Sequence, residues 1–162
     1  MDPASLEGDK APENLAFLLS QAGIHASARF AARLAEIDLQ PPLFRVLNLV
    51  DAAEGRSQQE IAKAVAAPPS RMVAFVDELE KRGLVERRAD PRDRRIRALY
   101  LTPAGREALE RGREVAHQHG EELARGLTEA EHAELVALLR KVVEAQLGAG
   151  VHPGFSHNLP SR

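Results

Sequence analysis

Residues 79–105 read LEKRGLVERRADPRDRRIRALYLTPAG and contain two short runs with the composition of strands, 84–88 and 96–101. Between these runs lies an arginine-rich segment that opens with the turn-forming pair Asp90-Pro91. Apolar runs on either side of turn formers are typical of a hairpin. The sequence therefore predicts a two-stranded β-hairpin with an arginine-rich tip.

Positive charge is concentrated around this hairpin. The whole chain has a formal net charge of −2, yet residues 81–106 hold nine basic and three acidic side chains, a net charge of +6. The other 136 residues therefore carry −8. A compact basic segment in an acidic chain is the expected footprint of an element that contacts phosphate. Charge alone leaves a solvated arginine-rich loop as the alternative.

Four helices are predicted before the hairpin. The evidence is apolar residues spaced three or four apart, together with prolines suited to a first helical turn. In the third helix the start is marked by a capping-box pattern of Ser57 and Glu60. The predicted ranges are 13–37, 42–53, 57–65 and 68–83.

Two longer helices are predicted after the hairpin, 103–123 and 128–148. A threonine–proline pair starts the first of them and a second capping box starts the other. Gly112 and Gly120 are expected to lower the stability of the first by ~1 kcal/mol each relative to alanine. Residues 149–162 are rich in Gly, Pro, His and Ser, which predicts a tail without a core of its own.

Two short helices followed by a hairpin with a basic tip have the order of a winged helix-turn-helix. The predicted fold class is mainly α with a small β-hairpin wing (α+β), flanked by long helices. In that arrangement the fourth helix enters the major groove of DNA, and the wing arginines reach an adjacent groove.

Composition argues against several other classes of protein. The chain has no cysteine, which excludes disulfides, thiolate metal sites and thiol redox switches. Aromatic residues make up 4% of the chain, too few for a module that stacks bases. No apolar run approaches the ~20 residues of a membrane span, and residues 1–10 lack the features of a secretory signal. We expect a cytoplasmic protein that contacts no membrane.

Several motifs resemble the MarR family of bacterial transcription regulators, and the resemblance covers most of the chain. Asp93-Arg94-Arg95 followed by Leu101-Thr102-Pro103-Ala104-Gly105 is similar to the family's wing signature at the correct spacing. The segment 79–85 resembles the end of its recognition helix and the first wing strand. Residues 59–62 resemble its third helix.

The resemblance implies an N-terminal arm and dimerisation helix (1–40), a winged helix-turn-helix DNA-binding lobe (41–102) and C-terminal dimerisation helices (103–148). The composition adds a fourth region, the flexible tail (149–162). The resemblance also implies a homodimer that binds double-stranded DNA and is associated with the bacterial nucleoid when bound.

A cleft for a small aromatic or anionic effector is a further implication of the resemblance. Candidate effector-binding residues are His25 and Arg29 on the first helix and Arg45 on the second. Arg29 and Arg45 are more often surface residues or partners in interhelix salt bridges, which is the alternative role for both.

The predicted DNA-binding residues lie at the starts of helices three and four and in the wing: Ser57, Gln58, Ser70, Arg71, Arg92, Arg94 and Arg95. The resemblance implies that Asp93 braces a wing arginine, with a simple turn-forming role as its alternative. Ala74 and Glu78 stand where arginine is common in the family. Base reading is therefore expected to rest largely on Arg71, while Arg95 and its neighbours read groove width and charge.

Neither a metal site nor a catalytic site is predicted. His117 and His119 are two residues apart, whereas two ligands on one helical face lie three or four apart. The sequence contains no G-x-S-x-G, H-E-x-x-H or phosphate-loop motif. We expect no enzyme activity, no cofactor and no bound metal.

The sequence thus predicts a homodimeric, sequence-specific DNA-binding transcription regulator, a ligand-responsive repressor on a palindromic operator. Two alternatives stay open. One is a winged-helix protein–protein adaptor, which Ala74 and Glu78 favour and the basic wing disfavours. The other is a small-molecule-binding protein without DNA binding.

Overall fold

The computed structural model describes residues 14–64, 68–89 and 97–147 of the chain. The elements in this part of the chain are α1 (Leu15–Glu36), α2 (Pro41–Ala52), α3 (Gln58–Ala64), α4 (Pro69–Lys81), β1 (Val85–Ala89), β2 (Arg97–Leu101), α5 (Pro103–Leu123) and α6 (Glu129–Leu147). Every one lies where the sequence predicts it, so the predicted fold class is confirmed. The predicted hairpin tip and the tail 149–162 lie outside the described residues.

Both predicted capping boxes are present. The Ser57 hydroxyl oxygen accepts a hydrogen bond from the N–H of Glu60 at 3.2 Å, and the Glu60 carboxylate accepts one from the N–H of Ser57 at 2.7 Å. Thr128 and Glu131 make the same reciprocal pair at 3.3 and 2.8 Å. The N–H of Thr128, followed by its hydroxyl, holds the pKa of Glu131 below its ordinary value. Local sequence therefore sets the starts of α3 and α6.

The hydrophobic core joins α2, α4 and the hairpin. Its largest fully buried side chains are Leu34, Leu47, Met72, Leu79, Leu99, Leu101 and Leu109, with Val46, Val50, Val76 and Val85. Burying a side chain of this kind contributes roughly 1.5–3 kcal/mol to stability. The helix-turn-helix and the wing therefore share one core and form one lobe.

The hairpin is tied to the loop between α2 and α3. β1 and β2 are antiparallel, with Val85 opposite Leu101. The N–H of Leu99 donates to the carbonyl of Arg56 at 2.9 Å, and the N–H of Gly55 donates to the carbonyl of Leu99 at 3.0 Å. These bonds add a short third segment to the edge of the sheet, so the wing is anchored to the helix-turn-helix along β2.

Thr102 and Gly105 fix the base of the wing against the end of α4. The Thr102 hydroxyl donates to the carbonyl of Gly83 at 2.6 Å and accepts from the N–H of Gly105 at 3.0 Å. A Cβ at position 105 would overlap the carbonyl group of Leu84, so this close approach requires glycine. Hydrogen bonding and close packing at the base of the wing thus explain why the Thr-Pro-Ala-Gly run begins with threonine and ends with glycine.

α1 and α5 pack together beside this lobe. The ring of Phe30 lies edge-on to Phe44 at 6.0 Å between centroids and stacks on the ring of His119 at 5.5 Å. Gly112 of α5 faces Phe44, and a Cβ there would lie 2.5 Å from the phenyl ring. The glycine expected to weaken α5 therefore makes room for an aromatic contact between helices.

α6 leaves its apolar side uncovered. No described side chain of α6 is buried, and Leu135, Val136 and Leu138 are 44%, 43% and 51% exposed. The first half of α1 has the same character, since Leu15 and Ile24 are exposed. Apolar helix faces of this extent are characteristic of association surfaces.

Candidate nucleic-acid interface

α4 has one face buried in the core and one face in solvent. The exposed strip consists of residues spaced three or four apart, and its members are Ser70, Val73, Ala74 and Asp77. Val73 is 42% exposed although its side chain is apolar. The major groove of B-DNA admits one α-helix, so an exposed strip on a single helix can reach base edges there. It is poor in hydrogen-bond donors, as the sequence predicts.

The predicted contacts on α3 and α4 lie at the starts of two packed helices. Ser70 is exposed in the first turn of α4, and Arg71 beside it is half-buried. The Ser57 hydroxyl takes part in the capping box of α3. The Gln58 side-chain oxygen accepts a hydrogen bond from Arg87 of β1 at 3.0 Å.

The predicted contacts at the wing tip, Arg92, Arg94 and Arg95, lie outside the described residues, as does Asp93. The two strands that lead to the tip are described. Arg88 pairs with Glu86, and its guanidinium carbon lies 4.7 Å from the centre of the Tyr100 ring. Arg97 opens β2 and is exposed.

An acidic residue in the turn after α2 holds the end of β2. Glu54 Oε1 accepts hydrogen bonds from the N–H of Leu101 at 3.2 Å and from Arg106 at 2.7 Å. The sequence gives no sign of this contact, because Glu54 lies about fifty positions from both donors and shares no motif with them. It fixes the wing strand between α2 and α5.

The carboxylates of α4 are paired with arginines from outside that helix. Arg82 donates to Glu78 at 2.7 Å, and this bond lowers the pKa of Glu78. Arg82 also donates to the carbonyl of Asp38 at 2.9 Å, which links the end of α4 to the loop after α1. Arg87 forms ion pairs with both Asp77 and Glu80. Neither arginine is among the predicted site residues, because their partners cannot be inferred from position along the chain.

The three predicted effector residues lie on α1 and α2. His25 is exposed, and Arg29 one turn later has its guanidinium 3.6 Å from Glu122 of α5. Arg33 donates to the same carboxylate, and that hydrogen bond lowers the pKa of Glu122. Arg45 is half-buried on α2, and burial lowers the pKa of its guanidinium. Arg29 therefore takes part in an interhelix ion pair, the alternative role expected for it.

A cavity of about 210 Å³ lies between the end of α1 and α5. Its lining residues are Arg33, Glu36, Ile37, Val115 and Gln118, so His25, Arg29 and Arg45 are not among them. Pockets for drug-sized ligands are usually ~300 Å³ or larger.

His119 is buried with 7% exposure, whereas His117 is exposed. The two side chains therefore face different environments, as their spacing predicts. Within the described ranges no group of three His, Cys, Asp or Glu side chains is arranged to hold a metal ion. None of the described helices has an apolar stretch long enough to span a bilayer.

Comparison with known proteins links this arrangement to transcription regulators. The model of the MarR family matches residues 37–96. The regulatory protein assigned to the hcr operon of Thauera aromatica is 30% identical over 142 residues, which are 87% of this chain and 86% of that protein. The HTH-type transcriptional repressor NicR of Pseudomonas putida is 29% identical over 91% of this chain and 96% of its own length.

The similarity extends to solved structures. The transcriptional repressor CouR, bound to a 23-mer DNA duplex, superimposes with a TM-score of 0.72 at 35% identity. The match covers 81% of this chain and 93% of that one. The fold and the sequence thus point to the same group of proteins.

Proposed function

This chain belongs to the MarR family of DNA-binding transcription regulators, and from that premise we propose that it is a homodimeric repressor that reads a palindromic operator and is controlled by a small ligand. The observation that carries the proposal is one lobe in which α4 presents an exposed strip and the adjoining hairpin leads to an arginine-rich segment. CouR was solved on DNA with the same fold.

In the proposed complex α4 lies in the major groove and the wing follows the neighbouring groove. Ser70 and Arg71 contact bases or nearby phosphates from the first turn of α4, where free N–H groups also favour an anion. The wing arginines Arg92, Arg94 and Arg95 supply electrostatic and minor-groove contacts, with Asp93 bracing one of them. Ser57 and Gln58 contact the backbone from the start of α3.

The proposed homodimer is supported by the uncovered apolar side chains of α1, α5 and α6. They include Leu15, Leu18, Leu123, Leu135 and Leu138, each more than 40% exposed in the single chain. A two-fold axis brings the same patch of both copies together and buries it. Such a dimer places two α4 helices ~34–36 Å apart, which is one turn of DNA.

The proposed ligand is a small aromatic or anionic compound. Arg29, which also pairs with Glu122, and Arg45 carry positive charge on α1 and α2, and His25 lies one turn from Arg29 on α1. Binding there would act where the dimerisation helix α1 meets α2 of the DNA-binding lobe. The protein works in the cytoplasm, where its operator is found.

A gel-shift titration tests the proposal, with DNA from the region around the protein's own coding sequence and with a shuffled duplex of equal length as control. We expect a shift that survives an excess of random competitor DNA. Light scattering on the same sample should give the mass of a dimer. A monomer mass, or binding that the competitor abolishes completely, contradicts the proposal.

The same titration with aromatic carboxylates such as benzoate distinguishes a ligand-responsive regulator from a small-molecule-binding protein without DNA binding. Release of DNA at ligand concentrations that leave the dimer mass unchanged supports ligand control. Ligand binding by a protein that shifts no duplex at low salt would instead favour the alternative of a small-molecule-binding protein without DNA binding.

A further inference from the structure

Arg87 of β1 lies where the wing meets the helix-turn-helix. Its two terminal nitrogens donate to three side chains: Glu80 and Asp77 of α4 and Gln58 of α3. The side chain is only 20% exposed. One guanidinium therefore joins three elements of the DNA-binding lobe.

The geometry suits arginine rather than lysine. A planar guanidinium donates in a fixed fork, so it can hold two carboxylates and an amide oxygen at once. Burial by itself lowers the pKa of Arg87, but the hydrogen bonds and charges of Asp77 and Glu80 outweigh it, so the net shift is upward. Arg87 is thus a permanent cation fixed against α4.

The charge on α4 gives this contact a consequence for DNA binding. α4 carries Asp77, Glu78 and Glu80 against Arg71 and Lys81, so a helix proposed to enter the major groove has a net charge of −1. Carboxylates facing phosphate repel DNA, and juxtaposed like charges weaken binding strongly.

Asp77 is the most directly placed of these acidic residues. It lies on the exposed strip with Ser70 and Val73, and its side chain is 57% exposed. The side chain of Glu80, one turn later, is 42% exposed. In the proposed complex both carboxylates would present negative charge to the duplex unless another group neutralised that charge.

We propose that Arg87 masks two of the three carboxylates of α4, those of Asp77 and Glu80, so that it is a positioning residue for DNA recognition without touching DNA. The proposal rests on the proposed docking of α4 in the major groove. Arg87 is not itself a phosphate contact, because it is four-fifths buried and both of its terminal nitrogens already donate to protein oxygens.

Four variants test this proposal in gel shifts on one duplex from the region around the protein's own coding sequence: Arg87→Ala, Asp77→Asn/Glu80→Gln, the combination of all three changes, and the control Arg88→Ala. Arg88 adjoins Arg87 and carries the same charge, but it pairs with Glu86 and its side chain is 59% exposed. We expect Arg87→Ala to weaken binding about tenfold or more, because it uncovers two negative charges. Arg88→Ala should weaken binding about twofold at most.

Rescue distinguishes masking from a direct contact. Removing the two carboxylates in the Arg87→Ala background should restore binding to within about threefold of the wild type. The Asp77→Asn/Glu80→Gln protein should bind at least as tightly as the wild type, because the amide oxygens still accept from Arg87 while two charges are gone. This protein keeps the test decisive if Arg87→Ala alone does not fold. A weakening that the combined variant fails to rescue, or an equal weakening in Arg88→Ala, overturns the proposal.

Urea unfolding of the same proteins without DNA separates this inference from the function on which it rests. Positive coupling between Arg87 and the two carboxylates should appear in the double-mutant cycle. If the cycle shows this coupling but neither the wild type nor the variants bind any duplex, the proposed function is contradicted. Binding by the wild type with no change on Arg87→Ala contradicts only the role of Arg87.

Discussion

Gly112 of α5 lies against the ring of Phe44 in α2, so closely that a Cβ at position 112 would be 2.5 Å from the ring and 3.2 Å from Leu39. Gly120, two turns further along the same helix, has nothing in the described chain within 4 Å of its own Cβ position apart from its chain neighbours and the nearby backbone of α5. The two glycines therefore have opposite consequences for stability.

Gly112→Ala should destabilise the protein by about 1–3 kcal/mol, because the strain of overpacking exceeds the gain in helix propensity. Gly120→Ala, the matched control, should be neutral or stabilise it by up to about 1 kcal/mol. Urea unfolding at one fixed protein concentration measures both. Equal stabilisation by the two substitutions would show that Phe44 does not constrain position 112.

The ion pair between Arg33 and Glu122 predicts a pH dependence of stability. The hydrogen bond from Arg33 lowers the pKa of Glu122 in the folded state, so the ionised carboxylate stabilises the fold above its unfolded pKa of about 4.3. That contribution disappears as the pH falls through the lowered folded value. Glu122→Gln should therefore be less stable than the wild type at neutral pH, and the difference should shrink as the solution becomes acidic.

Glu121→Gln is the control for that comparison. Its carboxylate contacts only His117 among the described ion pairs, at 3.5 Å, and both side chains are at least two-thirds exposed. Exposed pairs of this kind contribute little to stability. Urea unfolding across the acidic range measures both variants. If the free energy of unfolding of the two variants changes with pH in the same way, the Glu122 carboxylate does not help to hold α1 to α5.

Replacing Arg71 or Arg95 by alanine should weaken DNA binding in two different ways. Arg71→Ala should cost about 1–3 kcal/mol per half-site on the operator and leave binding to random DNA nearly intact. Arg95→Ala should weaken both and lower the slope of log K against log salt by ~0.9 for each phosphate that the side chain neutralises. Salt titrations on the two duplexes measure these effects. If operator preference survives the first change and disappears with the second, the sequence is read through groove shape.

Val73 predicts a role for thymine in the operator. It is an exposed apolar side chain on the strip of α4, next to Ala74, and apolar side chains in the major groove contact the thymine methyl group. Replacing thymine by uracil in each half-site should weaken binding by the wild type at one or two positions. Val73→Ala should bind both duplexes with more nearly equal affinity. An equal loss of affinity wherever thymine is replaced by uracil would exclude this contact.

The fold could be predicted from the sequence because its signals are local. The capping boxes at Ser57 and Thr128, and the prolines at the starts of α2, α4 and α5, mark helix ends within a few residues of the groups they satisfy. Starts marked in this way need no knowledge of tertiary contacts.

The contacts that assemble the DNA-binding lobe and hold α1 to α5 could not be predicted in the same way. Arg87 reaches Gln58 across 29 positions, and Arg33 reaches Glu122 across 89. No pattern in the sequence selects these pairs from the many other opposite charges. The packing role of Gly112 could not be predicted for the same reason. Helix propensity describes a residue within its own helix, whereas Phe44 belongs to a different helix. The DNA and effector contacts predicted from the sequence stay predictions.

Selection of binding sites from a random pool of DNA duplexes by the full-length protein tests the central claim most directly. A homodimer with one recognition helix in each chain should enrich an inverted repeat whose half-sites are about 10–10.5 base pairs apart from centre to centre. Arg71→Ala, selected in parallel, should return a degenerate motif. No enrichment over the starting pool, or a single half-site without its inverted partner, would contradict the account.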